Sequence, residues 1–162
     1  MARFDEKQFI GLALGVLGSI CVKRGRNRVL IVDSTDVSLD LNWFRKKITK
    51  ADLEGKEFKW GYSSSKGYYI GYKLTLVIEY PSLRPVAFLL HQGSPCDAKI
   101  YEEILEELKR RRIARDGDTI IFDKGYYGYK NYAMVIYRFK VIPVIFPRKN
   151  FKMEKLIGML SL

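Results

Sequence analysis

The sequence predicts an α/β protein in which a mixed β-sheet carries helices on its faces. Two short apolar runs, VLIV at 29–32 and TIIF at 119–122, have the length and β-branched content of buried strands. A pair of longer strand-like segments, 68–80 and 86–92, lies between them, and an amphipathic segment separates this pair from TIIF. Strands that first follow one another and then alternate with helices are typical of a mixed sheet.

Length and composition indicate one globular domain with a strong positive charge. The chain has 162 residues, enough for a single hydrophobic core. Hydrophobic residues make up 48% and charged residues 29%, a balance that excludes a disordered or fibrous chain. Lysine and arginine number 29 against 18 acidic residues, a formal net charge of +11. This charge favours a polyanionic partner, either nucleic acid or an anionic membrane, and does not by itself choose between them.

The cysteines and the most apolar segment indicate the compartment. Cys21 and Cys96 are isolated, and His91 is the only histidine, so neither a disulfide framework nor a zinc site is predicted. The expected compartment is therefore the reducing cytoplasm. Residues 9–22 are too few for a membrane span and follow acidic residues, so we predict a packed helix there and no membrane partner. This helix and a basic loop make up residues 1–25.

The first half of the predicted domain contains three strands and a long connection. A buried strand over 29–32 ends at Asp33. Residues 38–66 mix charged and aromatic residues without a clear period, which predicts a long excursion over the surface with at most a short helix. The segments 68–80 and 86–92 are rich in β-branched and aromatic residues, and the turn-forming PSLRP between them predicts a hairpin.

The second half alternates helices with strands. After the hairpin, Ser94 is predicted to cap a helix, with Pro95 in its first position and Asp97 completing a capping-box-like arrangement. The helix has apolar residues on one face, acids at its start and bases at its end, as the helix dipole favours. A strand over 119–122 then ends at Asp123. It is followed by a helix in GYKNYAMVIYRF, by a last strand over 140–146, and by a basic loop and a short terminal helix.

Two interpretations of Asp33 and Asp123 remain open at this point. Aspartate often begins a turn, where its carboxylate accepts hydrogen bonds from nearby main-chain amides. Alternatively, neighbouring strands bring both carboxylates to one edge of the sheet, where they bind one or two Mg²⁺ or Mn²⁺ ions for attack on a phosphodiester. A metal site of this kind also needs a third acid and a basic surface for its substrate.

Five motifs between residues 29 and 150 resemble the catalytic domain of insertion-sequence DDE transposases. They are VDSTDV, KGYYIGYKLTLVIEY, HQGSPCDAKIYEEIL, TIIFDKGYYGYKNY and VIPVIFPRKN. In that family they correspond to an Asp-Ser-Thr strand, a Gly-Tyr-Lys-Leu strand, a Gly-x-x-x-Asp segment at the start of a helix, an Asp-Lys-Gly-Tyr strand end and a Pro-x-Arg loop. Five linked motifs in the right order are far more specific than any one of them.

The resemblance implies a fold, a site and a reaction. The fold is an RNase H-like mixed sheet flanked by helices over residues 26–162, with residues 1–25 as the remnant of an upstream region. Asp33 and Asp123 would be catalytic metal ligands, with Mg²⁺ or Mn²⁺ as the cofactor. The partner would be DNA, both transposon ends and target, and a homodimer is compatible with this family. The implied reaction is metal-dependent cleavage of a DNA strand, which leaves a 3′-hydroxyl. This hydroxyl then attacks another phosphodiester.

The chain departs from the family pattern at two places. Thr75 stands where the family usually has a histidine, and the family's third acid, a glutamate beyond the Pro-x-Arg loop, has no clear counterpart. Glu154 is the only acid after Asp123, and it is either this third ligand or a solvated residue at the start of a terminal helix. We therefore expect an incomplete domain that lacks part of its C-terminal region, which leaves residues 134–146 without their usual cover.

Three functions stay open on this reading. The first is an active transposase, and the second is an inactive remnant that only binds DNA. The third, an RNase H-like nuclease of cellular function, is disfavoured by the Gly-Tyr-Lys-Leu and Pro-x-Arg motifs.

Basic and aromatic side chains in or beside the motif strands are expected to line a groove for phosphates and unstacked bases. They are Lys66, Tyr72, Lys73, Lys124, Tyr126, Arg148 and Lys149. Each has a simpler interpretation as a solvated base or a half-buried aromatic residue. Asp97 also matches a frequent family aspartate, although helix capping accounts for it.

Overall fold

The computed structural model describes residues 27–39, 59–64 and 67–161, together with Val16. Its elements are β1 (Val29–Ser38), β2 (Lys59–Ser63), β3 (Gly67–Tyr80), β4 (Arg84–Gln92), α1 (Asp97–Arg110), β5 (Thr119–Phe122), a 3₁₀ turn (Lys124–Tyr126), α2 (Tyr129–Tyr137), β6 (Ile142–Ile145) and α3 (Met153–Leu160). Apart from Val16, the predicted helix over 9–22 lies outside the described residues, as does most of the excursion over 38–66. The described end of that excursion is a strand, β2, which the sequence pattern did not predict.

The six described strands form one mixed sheet. Their order is β2–β3–β1–β5–β6, and β4 also pairs with β3. β1 is antiparallel to β3 and parallel to β5, and β5 is parallel to β6. A central first strand with an antiparallel hairpin on one side and two parallel strands on the other is the topology of the RNase H-like fold. The predicted fold class is therefore confirmed.

The hydrophobic core lies between one face of the sheet and the helices α1 and α2. Alternate residues of β1 and β5 point to this face and are buried, because successive side chains of a strand lie on opposite faces. The ring of Tyr101 on α1 packs against Phe122 of β5, with 4.7 Å between ring centroids. The fully buried apolar residues of this layer include Leu30, Val32, Val77, Tyr101, Ile104, Leu108, Ile120, Phe122 and Val135.

The start of α1 differs from its prediction. The helix begins at Asp97, and no side chain caps its first amides. The Ser94 hydroxyl instead donates to Oδ1 of Asp36 on β1 at 3.4 Å, and Oδ1 of Asp97 accepts a hydrogen bond from Lys73 at 2.9 Å. The predicted capping box is wrong because both of its side chains have partners from distant parts of the sequence.

A buried ion pair joins the starts of β1 and β5. Asp118 is 1% exposed, and its carboxylate accepts hydrogen bonds from the main-chain amides of Arg28 and Arg115 at 3.0 and 2.9 Å. The Arg28 guanidinium lies 3.6 Å from the same carboxylate and 3.4 Å from that of Glu79 on β3. These contacts fix the register in which Val29 lies opposite Thr119.

The second face of the sheet, which we call the open face, carries exposed apolar side chains. By register it is the face that points away from α1. Its exposed large hydrophobic residues are Val37, Trp60, Tyr62, Tyr68, Leu76, Tyr80, Ile142 and Val144. Two of them, Ile142 and Val144, lie within the segment 134–146, for which exposed apolar surface was expected.

Among the described helices, none combines the length and the hydropathy that a membrane span requires.

Candidate active site

Asp33 and Asp123 lie side by side on neighbouring strands. The parallel pairing of β1 with β5 ends at Val32 and Phe122, which are opposite each other and buried against the helices. The next residue of each chain is an aspartate, so both aspartates fall on the open face, and both are exposed. Neighbouring strands are about 4.8 Å apart, a spacing at which two carboxylates reach one metal ion.

Neither aspartate caps a turn with its side chain. Asp33 lies inside β1, which continues to Ser38, and its Oδ1 accepts a hydrogen bond from the amide of Ser34 at 2.8 Å. Asp123 precedes the 3₁₀ turn, but its side chain makes no capping hydrogen bond to that turn. Side-chain capping of the 3₁₀ turn therefore does not account for the Asp123 carboxylate.

A buried hydroxyl cluster ties the two strand ends together behind these aspartates. The Tyr126 hydroxyl is hydrogen-bonded to Oγ of Ser34, whose Oγ also lies 2.9 Å from Oγ1 of Thr75. Tyr126 is 1% exposed and Thr75 is fully buried. Burial raises the pKa of Tyr126 to about 12, so its hydroxyl stays protonated and can donate. Tyr126 is thus part of the core and does not present its side chain to DNA, contrary to its predicted role.

A basic cleft opens beside Asp123. It encloses about 430 Å³ and is lined by Asp123, Lys124, Gly125, Pro147, Arg148 and Lys149. The loop after β6 reaches this place because β6 runs parallel to β5 and ends beside it. Nε of Arg148 donates to the main-chain oxygen of Lys124 at 3.4 Å, which connects the loop to the 3₁₀ turn. Lys124, Arg148 and Lys149 are exposed, so their charged groups are accessible to a ligand.

The other predicted DNA contacts are placed differently. Lys73 is 9% exposed, and its ammonium group donates to Asp97 and to the main-chain oxygen of Pro95, both at 2.9 Å. Its predicted contact with DNA is therefore wrong for this conformation. Tyr72 is half-buried on the open face, and Lys66 lies outside the described residues. Sequence analysis missed Gly125 and Pro147 in the cleft, although both belong to motifs that it singled out.

Glu154 does not join the two aspartates. It is exposed in the first turn of α3, which packs on α2 through a hydrogen bond from the Tyr137 hydroxyl to the main-chain oxygen of Leu160. Within the part of the chain that the structure describes, no group of three or more His, Cys, Asp or Glu side chains could hold a metal ion. Of its two interpretations, the solvated residue at a helix start fits this placement.

Comparison with known proteins gives one structural likeness and one family match. The chain is similar to piggyBac transposase in the cryo-EM structure of its synaptic complex with hairpin DNA, with a TM-score of 0.48 and 15% sequence identity. That match covers 78% of this chain and 24% of the piggyBac chain, so this chain spans about a quarter of the length of that protein. A search of curated protein sequences finds no match. The profile of the transposase DDE domain matches residues 24–160. Because this match covers most of the chain, the protein belongs to the transposase DDE domain family.

Proposed function

We propose that the chain is the catalytic part of a DNA transposase that cuts DNA with a divalent metal ion held by Asp33 and Asp123. The observation that carries the proposal is the position of these two aspartates. They follow the last residue pair of two parallel strands, on one face and next to a basic cleft. A structural role alone does not require two exposed carboxylates at this point.

The two carboxylates fit a hard divalent cation. Mg²⁺ and Mn²⁺ prefer carboxylate oxygens, and two adjacent aspartates supply them with opposite charge. Both side chains are exposed, so such an ion keeps several water ligands, as Mg²⁺ usually does. A bound ion would supply Lewis-acid chemistry, activating the water that attacks a DNA phosphate and stabilising the leaving oxygen.

The basic side chains of the cleft would hold the DNA. Lys124, Arg148 and Lys149 line it together with Asp123, so a phosphate bound there would lie against one of the carboxylates. The net charge of +11 adds a sequence-independent attraction for both the transposon ends and the target. Cleavage would leave a 3′-hydroxyl, and the same cleft would then hold the phosphodiester that this hydroxyl attacks.

Substitution of either aspartate tests the proposal. Asp33→Asn and Asp123→Asn are each expected to lower Mn²⁺-dependent nicking of a supercoiled plasmid by roughly 100-fold or more, because the metal contributes several kcal/mol to the transition state. Asp116→Asn is the matched control, since Asp116 is an exposed acid paired with Lys109 away from the site. Nicking that persists in both variants, or that does not need the metal, would refute the proposal.

The second candidate function is DNA binding without cleavage. It is favoured by one observation, that the described residues offer no third carboxylate to the aspartate pair. In that case the wild-type chain binds DNA with steep salt dependence, which both asparagine variants retain, and no metal supports nicking. Nicking by the wild-type chain would rule this function out.

We also infer that the open face mediates a homodimer. The exposed apolar side chains of this face are candidates for an interaction site, and a two-fold pairing would bury them. Val144→Lys and Ile142→Lys are expected to shift sedimentation towards a folded monomer, because both residues are about half exposed and contribute little to the core. Ile157→Lys, at an equally exposed site on α3, is the control. A wild-type chain that remains monomeric at high micromolar concentration would contradict the inference.

A further inference from the structure

The lysine of the Gly-Tyr-Lys-Leu motif is held in an ion pair on the helix side of the sheet. Lys73 lies on the face that packs against α1, opposite to the face of Asp33 and Asp123. Its ammonium group is 2.9 Å from Oδ1 of Asp97 and 2.9 Å from the main-chain oxygen of Pro95. The side chains of Lys73 and Asp97 are 11% and 26% exposed. A lysine placed in this way contacts protein and not phosphate.

The other oxygen of Asp97 packs against the 3₁₀ turn that follows Asp123. A Cβ atom built on Gly125 would lie 2.6 Å from Oδ2 of Asp97, which shows how closely the carboxylate approaches the main chain of the turn. Gly125 has no positive φ, so its backbone conformation alone would accept alanine. A side chain at position 125 would therefore displace the Asp97 carboxylate from its place beside the turn.

We infer that Lys73 and Asp97 are positioning residues for Asp123. Their ion pair holds the 3₁₀ turn against the start of α1, while the Tyr126 hydroxyl holds the end of the same turn to Ser34, the neighbour of Asp33. The two contacts together set the position of one carboxylate relative to the other. The consequence for metal binding rests on the proposed function, whereas the mechanical role in the turn does not.

An ion pair holds the 3₁₀ turn in one position better than an apolar contact would. Charge-assisted hydrogen bonds are stronger than neutral ones, and Lys73 makes two of them, both at 2.9 Å. Asp97 is therefore anchored to both β3 and the loop before α1. The Asp97 carboxylate cannot rotate away from Gly125 without leaving the buried ammonium group of Lys73 without a carboxylate partner, which is costly.

Two substitutions test the contact between Asp97 and Gly125, one in each residue. Asp97→Asn removes the charge that Lys73 holds, and Gly125→Ala introduces a methyl group against Oδ2 of Asp97. Glu103→Gln is the matched control, because it makes the same chemical change on the same helix in a carboxylate that is 63% exposed. The direct measurement is hydrogen exchange of the amides of Tyr126 and Tyr127, which donate to the main-chain oxygens of Asp123 and Lys124.

Asp97→Asn and Gly125→Ala are each expected to raise the hydrogen-exchange rate of the Tyr126 and Tyr127 amides by roughly tenfold. A change of this size is expected when one charge-assisted hydrogen bond weakens. Exchange at Ile121 in β5 should stay unchanged, because a positioning role leaves the strand intact. If exchange at the turn is unaltered, or rises equally throughout β5, the inference is wrong. Neither result depends on whether a metal binds.

The affinity for Mn²⁺, followed by titration, separates this inference from the proposed function. If the wild-type chain binds Mn²⁺, Asp97→Asn and Gly125→Ala should weaken binding by roughly tenfold, the lower end of the effect of outer-shell substitutions on metal sites. Full retention of affinity despite faster exchange at the turn would overturn the link to the carboxylates. A wild-type chain without Mn²⁺ binding would refute the proposed metal site, and the exchange measurement would still decide the positioning role.

Discussion

Replacement of Asp118 with alanine is expected to lower the free energy of unfolding by about 3–5 kcal/mol, the usual effect of breaking a buried ion pair from one side. The carboxylate accepts hydrogen bonds from two main-chain amides and lies beside the Arg28 guanidinium, which is itself largely buried. Its removal leaves the two main-chain amides without this acceptor and leaves Glu79 as the carboxylate partner of the Arg28 guanidinium, in a site that water does not readily reach. Urea denaturation followed by circular dichroism measures the loss.

Asp116→Ala is the control for this experiment. Asp116 is an acid two positions earlier in the same loop, but it is exposed, and its partner Lys109 is on the surface. Its replacement should leave the unfolding midpoint nearly unchanged, because exposed ion pairs contribute little. A similar loss in both variants would show that the loop, and not the buried carboxylate, stabilises the junction of β1 and β5.

Phe122→Ala is also expected to lower the free energy of unfolding by about 3–5 kcal/mol, for a different reason. Phe122 is fully buried, and its ring lies 4.7 Å from that of Tyr101 and 5.3 Å from that of Tyr126, measured between centroids. Alanine would leave a cavity between the sheet and α1 and would remove both ring contacts. Denaturant unfolding and near-ultraviolet circular dichroism report on stability and on aromatic packing.

The neighbouring residue provides the comparison. Ile121→Ala alters the open face of the same strand, where the side chain is only half-buried. Its loss in the free energy of unfolding should therefore be clearly smaller than that of Phe122→Ala. Equal losses would contradict the assignment of the core to the helix side of the sheet. Since Phe122 directly precedes Asp123, its replacement should also lower the proposed metal-dependent nicking, because the strand end is misplaced.

The sequence predicted the strands that have a strong local pattern and the aspartates that follow them. TIIF was predicted with its observed bounds, because a short β-branched run between turn residues has few alternatives. The proximity of Asp33 and Asp123 followed from the parallel arrangement of their strands. β2 was missed, because KWGYS has no apolar run and depends on its pairing with β3.

The errors share one physical cause. Lys73 and Tyr126 were expected to face DNA, because a lysine and a tyrosine near a catalytic motif are usually exposed. Their actual environment is decided by Asp97 and Ser34, which are 24 and 92 residues away in the sequence. Local pattern carries no information about such partners, and the same limitation explains the wrong prediction of Ser94 as a helix cap.

The unequal lengths of β1 and β5 affect how solvent reaches the aspartates. Among the described residues, β1 pairs with β5 only as far as Val32, yet it continues to Ser38 with hydrogen bonds to β3. Asp33 is the first residue of this extension and is exposed, so its carboxylate is open to solvent beyond the end of β5. In the proposed reaction this is the side from which a water molecule would approach the scissile phosphate, and incoming DNA that displaced this water would leave the 3′-hydroxyl as the nucleophile.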